Sequence, residues 1–173
     1  TSASWWMLTP RRLLAALVPV ALLVLAARPD SDPDLWWHMR TGQWIIENGA
    51  VPHTDPFSST MTGTHWVAHE WLADIGLVEL YRLGGFGALT LATTIIVGLT
   101  FLIVYKLSSL RPHLAIFTTI LAALTSAVTW GPRPQMLTML FSAVCLWLLT
   151  RARTRPRLLW LLPALLLLWA NVH

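Results

Sequence analysis

Five apolar runs divide the chain: Leu13–Ala27, Phe86–Tyr105, Leu114–Trp130, Gln135–Thr150 and Leu158–Ala170. Only Phe86–Tyr105 has the roughly 20 residues that cross a bilayer comfortably. The others are shorter, and flanking tryptophans such as Trp5, Trp6, Trp130 and Trp160 are expected to complete them at the interfaces. Pro19 and Pro163 fall inside runs and predict kinks of the kind neighbouring helices tolerate in a membrane bundle. The pattern therefore predicts an all-α integral membrane protein of about five transmembrane helices, with a long outer loop carrying two surface helices. Its expected parts are an N-terminus and first span over 1–27, a cap over 28–85, and spans two to five over 86–173.

Within the cap, Asp32-Pro33 reads as a helix start, with Asp32 as N-cap and Pro33 as the first helical residue. Gly49 is the expected stop, giving a helix over roughly Pro33–Asn48. At helical spacing Leu35, Met39, Gly42 and Ile46 share an apolar face, whereas Asp34, His38 and Thr41 share another. The stretch Pro52-His53-Thr54-Asp55-Pro56-Phe57-Ser58 is turn chemistry, with Asp55 placed to close an Asx-turn. A second helix is expected from about His65 to Leu83, ended by Gly84-Gly85. Five of the eleven tryptophans (Trp36, Trp37, Trp44, Trp66 and Trp71) lie in this cap, a density that predicts a folded layer at a membrane surface.

Composition sharpens the class. Charged residues make up 12% of the chain and AVILMFWYC residues 55%, which excludes a disordered chain and an ordinary soluble domain. Cys145 is the lone cysteine and sits in an apolar run as a small hydrophobe, so no disulfide scaffold is built. The net charge of +4 matters less than its segregation: all eight acids fall between Asp30 and Glu79. The cations gather at Arg11–Arg12, Lys106/Arg111 and Arg151/Arg153/Arg155/Arg157, punctuating apolar runs instead of forming one patch, so no nucleic-acid partner is expected. A cytoplasmic N-terminus puts all three clusters inside and the acidic cap outside, as the positive-inside rule requires.

Three groups are candidates for chemistry. Asp34 and His38, one turn apart, have the spacing of a base and its orienter or of two ligands to a divalent metal ion, and equally that of a solvated pair at a helix start. His65 and His69 are also spaced as a zinc-binding pair, although two ligands make no site and interfacial hydrogen bonding is the simpler use. Arg133, in the outer turn Gly131-Pro132-Arg133-Pro134, is disfavoured on that side by charge statistics. It therefore calls for a partner, membrane lipid headgroups, or an anionic ligand such as a lipid-linked phosphate.

Asp32-Pro33-Asp34-Leu35-Trp36-Trp37-His38, Thr54-Asp55-Pro56-Phe57-Ser58, His69-Glu70-Trp71-Leu72, Arg133-Pro134-Gln135 and Trp169-Ala170-Asn171-Val172-His173 together form a pattern. Over positions 28–173 it resembles the N-terminal part of polytopic membrane glycosyltransferases of the C-type fold, which use lipid-linked sugars. The resemblance implies an early acidic residue as catalytic base or metal ligand, with Asp34 the first choice, Asp32 the second, and His38 assisting. It also implies a polyprenyl-phosphate sugar as donor, with Arg133 near its phosphate, and residence in a bacterial inner membrane. Such enzymes continue through further spans, so the chain is expected to be a module of a longer protein. The competing expectation is a non-catalytic subunit that packs against other membrane subunits; a channel or transporter is disfavoured because no acid or lysine lies mid-span.

Overall fold

The computed structural model describes residues 33–108 and 111–173, together with Val20 and Val24. Apart from those two valines, the run Leu13–Ala27 lies outside the described residues, as do Pro19 and Asp32. The described elements are α1 (Pro33–Asn48), α2 (Trp71–Leu107), α3 (Pro112–Ser126), α4 (Gln135–Ala152) and α5 (Leu161–Val172). A 3-10 turn, Ala127–Thr129, extends α3, and another, Pro156–Trp160, leads into α5. No strand occurs among the described residues beyond a single bridge between Thr54 and His65.

Three stretches are long and apolar enough to cross a membrane: Trp71–Leu107, Pro112–Thr129 and Gln135–Ala152. Pro156–Val172 is apolar but shorter. Helix α2 is the axis of the molecule, packing against α1, α3, α4 and α5. One apolar cluster joins Val97 and Phe101 of α2 to Ala123 of α3 and Met136 of α4. A second joins Leu35 of α1 to Leu77 and Leu89, from the two arms of α2. Leu35 is 1% exposed, and burying such a side chain stabilises by about 2 kcal/mol. The opposite faces remain apolar and exposed, with Leu91, Ile95, Phe117, Leu121 and Leu167 all outward. A water-facing surface of that kind is unfavourable, whereas hydrocarbon matches it.

Helix α1 has the expected limits. Pro33 begins it, where a missing N–H costs nothing, and Gly49 ends it at φ 65° with its N–H donated to the Ile45 carbonyl at 2.9 Å. Its buried face differs from the expected one: Leu35, His38, Thr41, Gly42 and Ile45 are inside, Asp34 is exposed and Ile46 is only half-buried. The face turns toward His38 because α2 offers that imidazole a carboxylate, and because Gly42 meets α2 backbone directly. Thr41 is tolerated inside because its hydroxyl donates to the Trp37 carbonyl at 3.0 Å.

The second cap helix begins at Trp71, not His65, and its helical geometry ends as expected at Gly84-Gly85, whose non-helical backbone kinks the element. Residues 53–66 are held in a hairpin-like loop instead. The Asp55 N–H donates to the Thr64 carbonyl at 2.9 Å, the Trp66 N–H donates to the His53 carbonyl at 3.0 Å, and the backbone of His65 bridges that of Thr54. At the bend, Gly85 has φ 60°, a conformation glycine adopts without steric cost. A second helical arm begins beyond the kink and runs on to Leu107, so α2 consists of two arms meeting at Gly84-Gly85. Pro163 makes no mid-span kink: it lies in the first turn of α5, where its absent donor has no intrahelical acceptor to miss.

Candidate functional site

The acidic start of α2 meets the inner face of α1. His38 Nδ1 lies 2.8 Å from Asp74 Oδ1 and 3.6 Å from Glu70 Oε2. His38 and Asp74 are both buried. An ionised carboxylate only accepts, so the ring proton belongs on Nδ1 and the lone pair on Nε2. Burial pulls the His38 pKa down, but the hydrogen bond that His38 donates to Asp74 and the charges of Asp74, Glu70 and Asp34 outweigh it, and the net shift is upward from 6.5.

Glu70 is a hub for three histidines. Its carboxylate faces His38, His69 at 3.8 Å and, from the end of α5, His173 at 3.3 Å. His173 Nδ1 is 3.0 Å from the Thr138 hydroxyl of α4, which in turn receives the Trp169 indole N–H at 2.9 Å. Beside Glu70, the Trp71 indole donates to Asn171 Oδ1 at 2.9 Å. Segments a hundred residues apart in the chain thus converge on one end of the bundle.

Asp34 lies on the rim of this assembly, 3.6 Å from Arg133 Nη1, joining the first turn of α1 to the turn before α4. With side-chain exposures of 63% and 34%, the pair contributes at most about 1 kcal/mol. Arg133 also borders a cavity of about 300 Å³ between α2, α4 and α5. Leu72, Gly76, Leu89, Met136, Phe141 and Leu168 are among its walls, and apart from Thr93 and Arg133 its lining is apolar.

A smaller cavity of about 110 Å³ has the opposite character. It is lined by His38, Thr41, His69, Glu70 and Asp74 with the indoles of Trp37 and Trp66. Phe57 stands edge-on to both indoles, at 5.4 Å and 6.1 Å, and Arg40 lies over the Phe57 ring. The Asx-turn at Asp55 holds Phe57 there: the Asp55 carboxylate accepts from the Phe57 N–H at 2.8 Å and from the Ser58 N–H and hydroxyl. The Ser58 hydroxyl first, then the two backbone donors, draw the Asp55 pKa below 3.8.

The expected site residues therefore divide. Asp34, His38 and Arg133 stand at one end of the bundle, where Asp34 bonds to Arg133 and His38 to Asp74. His69 reaches that network through Glu70, while His65 stays in the loop pairing with Thr54. Among the described residues, no group of three or more His, Cys, Asp or Glu side chains is arranged to hold a metal ion. Asp74, Asn171 and Thr138 were not anticipated as parts of the site. The signal for Asp74 was an acid inside an otherwise apolar helix face, and no local spacing links Thr138 to His173. No protein-family model, curated protein or solved structure matches the chain.

Proposed function

We propose that this chain is a membrane glycosyltransferase, or the N-terminal module of one, moving sugar from a polyprenyl-phosphate donor to an acceptor at the outer face of a bacterial inner membrane. The observation that carries the reading is Arg133 on the wall of the otherwise nearly apolar 300 Å³ cavity. A cation beside an apolar slot between helices suits an amphiphile with a phosphate head and a hydrocarbon chain. Asp34, 3.6 Å from that guanidinium, keeps the cation oriented and supplies a carboxylate to any divalent ion accompanying the phosphate. The exposed apolar belt supports the membrane setting, and the three basic clusters support a cytoplasmic N-terminus.

The test is binding of a polyprenyl phosphate to the full chain in lipid nanodiscs, followed by native mass spectrometry. Arg133→Ala should weaken binding about tenfold or more, equivalent to about 1.4 kcal/mol. Equal binding by wild type and Arg133→Ala, or none by either, would sink the reading.

A specific observation favours the subunit alternative as well. His38 and Asp74 are buried between α1 and α2, as expected of a bond that only fastens the cap to the bundle. In that case polyprenyl-phosphate binding is absent and a partner membrane subunit co-purifies through the exposed Trp36 face.

A further inference from the structure

The 110 Å³ cavity is separate from the apolar one and has the chemistry of a second ligand. Resting on the transferase reading, we infer that it seats the acceptor as a single hydroxyl-bearing sugar ring, and that His38, oriented by Asp74, takes the proton of the reacting hydroxyl. Four observations carry this. Trp37 and Trp66 line it, and indoles are side chains suited to packing against the C–H face of a sugar ring. Glu70 and Asp74 supply carboxylate acceptors for hydroxyl donors. The volume suits one small ring and not an extended oligosaccharide. His38 lines the same space with Nδ1 engaged by Asp74 at 2.8 Å, leaving Nε2 as the basic atom.

The step balances without a further reagent. The acceptor hydroxyl gives its proton to Nε2 as its oxygen bonds to the anomeric carbon of the donor sugar. The bond from that carbon to the phosphate oxygen breaks, its electron pair remaining on the polyprenyl phosphate. The imidazolium then loses its proton to solvent. Asp74 is a positioning residue: it holds the ring and the tautomer, and acts only through His38. The charged groups facing His38 are Asp34 from α1 and Glu70 and Asp74 from the start of α2, with His69 and His173 beyond Glu70.

The experiment is saturation-transfer NMR with methyl glycosides of hexoses and pentoses, on the full chain in nanodiscs. At least one glycoside should respond in wild type and in Trp36→Ala, whose ring packs on Phe86 outside the cavity. Its affinity should fall about fivefold or more in Trp66→Phe and in Glu70→Gln. Affinity should rise with pH as His38 loses its proton; Asp74→Asn should move that inflection to lower pH, and His38→Gln should abolish it. No response to any glycoside, or a response indifferent to both Trp66→Phe and Glu70→Gln, overturns the acceptor seat. An inflection that persists in His38→Gln overturns the proton role. Glycoside binding without polyprenyl-phosphate binding keeps the pocket as a sugar site and removes the transferase reading.

Discussion

Gly42 of α1 lies against the backbone of Asp74 in α2: a Cβ at position 42 would sit 2.2 Å from the Asp74 carbonyl oxygen and 2.9 Å from Val78 Cγ2. That closeness brings the His38 imidazole, one turn earlier on α1, within bonding distance of the Asp74 carboxylate.

Gly42→Ala should therefore separate the two helices. The obstructing atom is main-chain carbonyl within a helix, which cannot rotate away as a side chain would, so the cost is expected at about 2–3 kcal/mol. Hydrogen exchange across α1 should accelerate while α4 is unchanged. Unaltered protection in α1 would contradict the close packing.

The His38–Asp74 bond gives stability a defined pH dependence. The folded pKa of His38 lies above its ordinary 6.5, so its contribution is complete below about pH 6.5 and declines as pH rises through the folded value. Amide exchange in α1 should quicken over that window. In Asp74→Asn the dependence should flatten, and the His38 ring should titrate lower by NMR.

Asp34→Asn removes the charge opposite Arg133 but leaves the His38–Asp74 bond in place. In a transfer assay the donor KM should rise about threefold to tenfold with kcat nearly constant, the signature of lost binding common to ground and transition states. A collapse of kcat at constant KM would make Asp34 itself the base.

Asp55→Ala should loosen the cap without touching the bundle. Its folded pKa lies below 3.8, so its stabilising effect is present above that value and is lost as pH falls through the lower folded one. Proteolysis within 53–66 should increase several-fold in Asp55→Ala at neutral pH, and in wild type only under strong acid.

Topology is open to direct labelling. With the single native Cys145 replaced, an impermeant maleimide added from outside should modify cysteine introduced at Thr60 and spare one at Thr154. The reverse pattern would refute the orientation drawn from the arginine clusters.

The elements that local chemistry controls were legible in the sequence. Pro33 and Gly49 bound α1, Asp55 closes its turn, and the long apolar stretches are the helices capable of crossing a membrane. What escaped depends on contacts distant in the chain. The burial of His38 follows from Asp74, thirty-six residues away, and its own helix offers no sign of that partner. Helix α2 begins later than expected because the backbones of His65 and Trp66 pair across the loop with Thr54 and His53. Gly84-Gly85 carries the composition of a stop and interrupts the helix as one; what local sequence does not show is that Leu77 before it and Leu89 after it pack against the same Leu35.

The bend also sets how this architecture can be taken apart. Asp74, which anchors the cap, and Val97 and Phe101, which anchor the bundle, ride on the two arms of α2, with Gly84-Gly85 between them and Leu35 packed against both arms. A cut at residue 85 would part Leu77 from Leu89 and so break the contact with Leu35 that both arms share. The smallest unit that can be exchanged, by recombination or by design, is the cap together with both arms of α2.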